Sequence, residues 1–323
     1  MQLPLAFLPR RDQPPTLPAD HVQQAHIPGI GSLAYRKSPG AGRALVFLHG
    51  THVASGPHEL RPLRAAFADR PTYALDWPGY GASTLPANGV SAELCADALI
   101  AFIEQVIGPD QPVDVVAISR GSEFAALAAT RKRMLFRSLA LLSPTGFGRG
   151  RNVPEFAQFM RELQRTPRLS ELIFRSLTSR PALAYTLSKS LGRNVALELA
   201  DDAHRAARRP GARIAPFTFL KQAFAGQTAD ATLYLALRVP TFVLFGEDPS
   251  TSFEFLPLLT RENAFVRSLR VGARHGAPHL EALLAVQGAL REYYQAMDVA
   301  NRFEDWESTV ETVPFAHSQI HAA

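Results

Sequence analysis

Residues 113–122 read V-D-V-V-A-I-S-R-G-S, an apolar and largely β-branched run that ends at Ser119. A buried strand that passes directly into a helix must turn sharply, and the residue at the apex of the turn has a strained backbone. The residues two before and two after the apex must then be small, and Ala117 and Gly121 occupy those places. The stretch predicts a strand, a tight turn and a helix that present Ser119 as a nucleophile. The alternative is an ordinary serine N-cap.

Four further motifs flank this turn in a fixed order along the chain. Upstream, one strand-like run ends in H-G-T at residues 49–51, and residues 73–83 read Y-A-L-D-W-P-G-Y-G-A-S. Downstream, residues 240–248 read P-T-F-V-L-F-G-E-D, and residues 272–281 read G-A-R-H-G-A-P-H-L-E. Together the five motifs resemble the α/β-hydrolase superfamily over roughly residues 25–295.

The segment S-P-T-G at residues 143–146 is similar to one in uncharacterised bacterial and chloroplast-type α/β-fold serine hydrolases. Short strand-like runs alternate with helical patterns on both sides of Ser119, which predicts an α/β fold with a mostly parallel, doubly wound sheet. Residues 147–237 show helical periodicity instead. The resemblance implies that they form a helical cap inserted after the sixth strand.

These patterns divide the chain into four regions. We expect an irregular N-terminal lead-in over residues 1–24 and a C-terminal tail over residues 297–323. The α/β-hydrolase core is expected over residues 25–146 and 238–296, with the helical cap over residues 147–237.

Composition narrows the class of protein. The chain has 323 residues, of which 46% are hydrophobic and 20% charged, as in ordinary globular proteins. It has no run of eighteen apolar residues and no signal-peptide pattern, so we expect a cytoplasmic protein without a transmembrane segment. The single cysteine, Cys95, cannot form an internal disulfide and is expected to pack in the core.

The net charge of +5 is concentrated in the predicted cap. Residues 147–237 hold 14 Lys and Arg against 7 Asp and Glu. No nucleic-acid-binding motif accompanies these basic residues, so we expect a solvated helix face and no nucleic-acid partner. A membrane-surface or partner-docking module is the alternative. The sequence makes no prediction of oligomeric state.

The catalytic residues are expected where the carboxyl ends of the strands meet at one edge of the sheet. Ser119 would attack an acyl carbonyl, and a histidine held by a carboxylate would take its proton. The resemblance implies that Asp248, directly after the seventh strand, is that carboxylate, with its neighbour Glu247 as the alternative.

The motif that should supply the catalytic base departs from the family pattern. In the family pattern G-H-x-P-H-x-E the catalytic histidine stands two residues before the proline, where this chain has Gly276. A one-residue insertion in the loop would make His275 the base. The alternative is His279, at the first turn of the last helix.

Two backbone N–H groups usually stabilise the negative charge that develops on the carbonyl oxygen. The resemblance implies that Thr51 and Arg120 supply them as the oxyanion hole. We expect the Arg120 side chain to pair with an acid such as Glu123 in preference to a substrate carboxylate. Trp77 and Tyr80 are the candidates for lining the acyl pocket.

We therefore expect a carboxylesterase-like serine hydrolase that cleaves a small or medium acyl ester through an acyl-enzyme on Ser119. No cofactor or metal is expected, because H-E-x-x-H, C-x-x-C and phosphate-loop patterns are absent from the sequence. The other class is a non-hydrolytic ligand-binding protein or receptor on the same fold. Acyl transfer, C–C bond hydrolysis and cofactor-free haloperoxidase activity are further alternatives, since fold and triad do not determine the substrate.

Overall fold

The computed structural model describes residues 21–148, 153–188, 193–249 and 251–300. Residues 1–20 of the expected lead-in and residues 301–323 of the expected tail lie outside these ranges. The division into four regions stays a prediction.

The described strands form a single eight-stranded sheet in the order β1-β2-β4-β3-β5-β6-β7-β8. The pairs β1–β2 and β2–β4 are antiparallel and the other neighbours are parallel. This confirms the mostly parallel sheet that the alternating pattern predicted. The strands are β1 (Val22–Ile27), β2 (Gly31–Ser38), β3 (Leu45–Leu48), β4 (Thr72–Leu75), β5 (Val113–Ile118), β6 (Phe136–Leu142), β7 (Thr241–Phe245) and β8 (Val266–Arg270).

Helices cover both faces of the sheet. In order, they are α1 (Arg61–Ala65), α2 (Ala92–Phe102), α3 (Gly121–Arg131), α4 (Pro154–Arg165), α5 (Pro167–Leu177), α6 (Arg180–Ser188), α7 (Arg193–Ala207), α8 (Ile214–Phe224), α9 (Ala231–Leu235), α10 (Leu256–Glu262), α11 (Pro278–Glu281) and α12 (Leu283–Ala300). Strand β5 shows why two faces are covered: Val115 packs in one buried cluster with α2 and α3, whereas Val116 packs in another with α1 and α12. Successive strand residues point to opposite faces, so both faces of a buried strand need a helical layer. The doubly wound architecture is confirmed.

Helices α4 to α9 all lie between β6 and β7, and we call the chain from residue 147 to 237 the insertion. Part of the insertion has its own buried cluster, which includes Met160, Phe174 and Phe217. Val53, from the loop after β3, packs against this cluster. The insertion thus rests on a loop at the carboxyl edge of the sheet.

Two local expectations need correction. The last helix, with His279 in its first turn, is interrupted at Ala282, whose backbone (φ −126°, ψ 42°) separates α11 from α12. Strand β1 begins at Val22, inside the segment expected to be irregular. Four of its six residues are exposed, so the apolar alternation that marks a half-buried strand is weak there. Cys95 is fully buried in α2, as expected.

Candidate active site

Ser119 stands at the turn between β5 and α3, with a backbone φ of +51°. A positive φ is uncommon for a residue with a side chain and marks a strained turn. A Cβ atom at Gly121 would lie within 3.0 Å of the His49 carbonyl oxygen, so this position needs glycine. The turn predicted from the sequence is therefore present. Ser119 is partly exposed, and its hydroxyl forms no hydrogen bond with the described part of the chain.

The loop after β3 packs directly against this turn. A Cβ atom at Gly50 would lie 3.4 Å from Cβ of Ser119. His49 is fully buried; its Nδ1 is 2.7 Å from the Gly50 carbonyl oxygen, and its Nε2 accepts a hydrogen bond from the Trp77 N–H at 3.2 Å. Burial lowers the pKa of His49 to about 4. A neutral, fully bonded ring holds the shape of the loop.

The Trp77 and Tyr80 side chains also hold this loop. The Trp77 indole N–H donates to the His49 carbonyl oxygen at 2.8 Å, and the Tyr80 hydroxyl donates to the Thr51 carbonyl oxygen at 2.7 Å. Tyr80 lines a cleft between the sheet-edge loops and the insertion, together with Val53 from the loop after β3. Trp77 is fully buried and is not among the residues that line this cleft.

Of the two backbone amides expected to form the oxyanion hole, one is next to Ser119 in sequence and the other follows a glycine that lies close to Ser119. Arg120 follows Ser119 directly, and Thr51 follows Gly50, which packs on Ser119. Within the described ranges, neither the Thr51 N–H nor the Arg120 N–H donates a hydrogen bond. Both amides therefore have hydrogen-bonding capacity to offer a ligand.

Asp248 lies three residues after β7, beside the loop that carries His275. A Cβ atom at Gly276 would lie within 3.0 Å of the Asp248 carboxylate, so this carboxylate rests directly on the Gly276 backbone. Gly276 has φ +77°, which also favours glycine. The position at which the family pattern has its catalytic histidine is thus occupied here by Gly276, whose backbone contacts the Asp248 carboxylate.

His275 is bonded to a carboxylate that the sequence reasoning missed. Its Nδ1 lies 3.1 Å from Glu281 Oε2, and 46% of its side chain is exposed. The Glu281 carboxylate also accepts hydrogen bonds from the N–H groups of Arg274 at 2.8 Å and Ala277 at 3.0 Å. Burial opposes the ionisation of Glu281, but these bonds outweigh it and lower the pKa of its carboxyl group. The sequence signal that could have identified Glu281 is the final E of the motif H-x-x-P-H-x-E.

Hydrogen bonds do not connect the three expected catalytic side chains. Across the described residues, His275 bonds neither to Ser119 nor to Asp248. The structure brings the Asp248 carboxylate to the His275 loop and the His-Gly loop to Ser119. It does not show a hydrogen-bonded triad.

His279, the alternative base, is in a different environment. It is 4% exposed, and neither ring nitrogen has a hydrogen-bond partner among the described residues. Burial lowers the pKa of His279 to about 4; the charges of Glu59 and Glu281 oppose this shift, and that of His52 adds to it. His52 and Glu59 themselves pair, with Nε2 and Oε2 3.0 Å apart. His279 is therefore held neutral in a closed site.

The sequence profile of the family described as "Alpha/beta hydrolase family" matches residues 45–286. This range is most of the chain and includes Ser119, Asp248 and His275. The chain belongs to the alpha/beta hydrolase family. Sequence comparison with curated proteins finds no match.

Solved structures of other hydrolases share the fold of this α/β hydrolase. A serine hydrolase involved in carbazole degradation (CarC enzyme) is 15% identical with a TM-score of 0.69, over 86% of this chain and 99% of that one. E-2-(acetamidomethylene)succinate hydrolase is 18% identical with a TM-score of 0.66, over 86% of this chain and 100% of the other. A thermophilic esterase from Thermogutta terrifontis is 17% identical with a TM-score of 0.63, over 86% and 99%.

Two negative observations complete the description of this α/β hydrolase. The described ranges contain no group of three or more His, Cys, Asp or Glu side chains that could hold a metal ion. In the same ranges, the helices are too short or too polar for any of them to span a bilayer.

Several basic residues of the insertion form ion pairs. Arg175 Nε lies 2.7 Å from Glu171, and Arg180 Nε lies 2.9 Å from Asp201, with both arginines exposed. Arg120, outside the insertion, pairs with Glu123 at 3.3 Å, as expected.

Proposed function

We propose that this chain is an esterase-like serine hydrolase that cleaves a small or medium acyl ester through an acyl-enzyme on Ser119. The observation that carries this proposal is the turn at Ser119. Its backbone has φ +51°, its hydroxyl has no hydrogen-bond partner in the described ranges, and glycine is required at position 121. Strain of this kind is stored where a side chain must be presented for chemistry.

The proposed reaction has two balanced halves. The Ser119 hydroxyl oxygen attacks the ester carbonyl carbon while His275 accepts the hydroxyl proton. The N–H groups of Thr51 and Arg120 stabilise the oxyanion, and each contributes on the order of 3 kcal/mol in such sites. The intermediate collapses, and the leaving alcohol takes the proton from His275. Water then attacks the acyl carbon while His275 accepts a proton from it. The bond between the acyl carbon and the Ser119 oxygen breaks, His275 returns the proton to that oxygen, and the acid leaves.

Burial supports His275 over His279 as the base. A general base must reach the hydroxyl proton, and 46% of the His275 side chain is exposed on its loop. His279 is closed off, with both nitrogens buried. In the structure Nδ1 of His275 is bonded to Glu281. The proposed reaction therefore requires Nδ1 to exchange Glu281 for Asp248, which leaves Nε2 to accept the Ser119 proton.

Asp248 is proposed as the carboxylate of the reaction because it follows β7 and rests on Gly276, next to His275. Glu281 is proposed to hold the loop, through its bonds to three backbone N–H groups. Asp248→Asn should lower kcat strongly, while Glu281→Gln should mainly lower stability. If Glu281→Gln alone removes turnover, Glu281 is the acid.

A second candidate function is ligand binding without turnover. The observation that favours it is the lack of hydrogen bonds from His275 to Ser119 and to Asp248 among the described residues. Turnover separates the two candidates, because an enzyme releases product repeatedly whereas a receptor stops near one equivalent.

The insertion is proposed to act as the cap over this site, with residues 25–146 and 238–296 as the core. Support comes from the packing of Val53 and Tyr80 against the insertion. A cleft between the sheet-edge loops and the insertion, whose lining includes Leu85 and Ala207, gives further support. These side chains suit an apolar acyl or alcohol group of a small-molecule substrate. The cytoplasm is the proposed location, and cell fractionation tests it.

The first experiment is incubation with a fluorophosphonate, followed by peptide mass spectrometry. This probe reports an activated serine without a choice of substrate. Ser119→Ala should lose the adduct. Ser122→Ala is the matched control, because the Ser122 hydroxyl is buried and donates to the Ala117 carbonyl oxygen at 3.2 Å. No adduct on folded wild-type protein would favour the second candidate. An adduct on Ser119 justifies a panel of esters of increasing chain length.

A further inference from the structure

The Arg120 side chain extends from the nucleophile turn into the insertion. One guanidinium nitrogen, Nη1, donates to the Phe219 carbonyl oxygen at 2.8 Å. The other, Nη2, donates to the Gln227 carbonyl oxygen at 2.8 Å and to Gln222 Oε1 at 3.3 Å. The guanidinium carbon also lies 5.0 Å from the centre of the Phe219 ring. Only 5% of Arg120 is exposed, so these contacts replace water almost completely.

Glu123 completes a buried pair with Arg120 and extends it to the other end of the insertion. Its carboxylate accepts hydrogen bonds from the Thr145 hydroxyl and from the Ala229 N–H at 3.2 Å. Thr145 lies where the chain leaves β6, and Ala229 lies just before the chain returns through α9. Burial raises the pKa of Glu123, and Arg120 is the main opposing influence. The ion pair therefore connects the nucleophile turn to both ends of the insertion.

A second connection reaches the same helix from the other oxyanion residue. The Tyr80 ring stacks on Phe219, with ring centres 6.5 Å apart and planes at 20°. The Tyr80 hydroxyl donates a hydrogen bond to the Thr51 carbonyl oxygen. Phe219, on α8, thus contacts side chains that hold both residues proposed to donate amides to the oxyanion.

We propose that Arg120, Glu123 and Phe219 are positioning residues that set α8 against the nucleophile turn, so that the insertion and the two oxyanion amides take up their places together. The role of the amides rests on the proposed function, whereas the connection to α8 does not. Both terminal nitrogens of Arg120 are bonded within this connection, so substrate recognition falls to other groups. Lysine cannot replace it, because a single ammonium group cannot match the planar fork that reaches three acceptors.

Hydrogen–deuterium exchange tests the connection without any assay of activity. We would compare wild type with Arg120→Lys and Phe219→Leu. Phe219→Leu removes the aromatic contacts with Arg120 and Tyr80 but keeps the backbone carbonyl and strands no charge. In Arg120→Lys, loss of charge-assisted bonds should speed exchange across residues 214–229 by about ten- to a hundred-fold. In Phe219→Leu, loss of the aromatic contacts should speed it to a smaller extent, and β5 and β7 should be unchanged in both variants.

The rate of fluorophosphonate labelling of Ser119 is the second measurement, and it should fall about ten-fold in both variants. Arg175→Lys is the matched control, because Arg175 lies in the same insertion but pairs with Glu171 at the surface. It should leave both measurements at wild-type values. If Arg120→Lys does not fold, Phe219→Leu alone decides the test.

Wild-type exchange across residues 214–229 in both variants would overturn the proposal. An increase in exchange in β5 and β7 as large as that across residues 214–229 would also overturn it. Such a result indicates general destabilisation and no local positioning. Failure of the proposed function is recognised separately. If Ser119 of the wild type is never labelled, the oxyanion role is lost, while the exchange measurements still decide whether the pair positions α8.

Discussion

Replacement of His279 by leucine should make the protein less sensitive to acid. In the folded protein the pKa of His279 is about 4, because the ring is buried and neither nitrogen has a partner. An unfolded histidine has a pKa near 6.5. Because the folded-state pKa is the lower one, protonation favours the unfolded chain. Stability due to neutral His279 is complete above pH 6.5 and declines as the pH falls from 6.5 towards 4.

The size of this effect follows from linkage between protonation and folding. At pH 5 the unfolded imidazole is almost fully protonated and the folded one is largely neutral, which costs on the order of 2 kcal/mol relative to pH 8. Leucine at this position has no proton to bind and leaves no unpaired nitrogen. The buried ring of His49, with its pKa of about 4, titrates in both proteins and cancels in the comparison.

Urea unfolding followed by circular dichroism at pH 8, 6 and 5 would measure the difference. Both proteins should lose stability between pH 8 and pH 5, but the decrease in the free energy of unfolding should be about 2 kcal/mol smaller for His279→Leu than for the wild type. Its ester turnover at pH 8 should persist, while His275→Ala should be inactive. An identical pH dependence in His279→Leu and wild type would refute the burial argument. Loss of turnover in His279→Leu would refute His275 as the base.

Three further substitutions test the site. Ser119→Gly relieves the positive φ and should be more stable than the equally inactive Ser119→Ala by about 0.5–1 kcal/mol in thermal unfolding. Trp77→Phe leaves the buried His49 carbonyl oxygen without its donor and should lower the free energy of unfolding in urea by about 1–3 kcal/mol. Gly121→Ala places a methyl group against the same carbonyl, so fluorophosphonate labelling of Ser119 should slow and the melting temperature should fall.

Each of these expectations has a clear contrary result. A Ser119→Gly variant less stable than Ser119→Ala would mean that the turn is not strained. Wild-type stability of Trp77→Phe would mean that water replaces the indole donor. Normal labelling of Gly121→Ala would mean that the loop after β3 can move away from the turn without cost.

Apolar patterns in the sequence predicted the strands well where both faces of the strand are buried. The stretch at residues 113–122 forms the predicted strand and turn and the start of the predicted helix, with the strand at Val113–Ile118. An apolar run between turn residues has few other solutions. The hairpin of β1 and β2 was missed. Its first strand is mostly exposed, and its hydrogen bonds with β2 hold it in place where the apolar pattern is weak.

The sequence by itself determined the turn at Ser119 and the demand for small residues around it, because backbone sterics act over a few residues. It also placed Asp248 and His275 on loops at the carboxyl edge of the sheet. Only the tertiary structure decided which groups these side chains meet. Arg120 bonds to residues about a hundred positions away, and His279 is closed off near Glu59. Partners and burial of this kind come from the order of strands in the sheet, which brings distant segments together and sets the surroundings of each side chain.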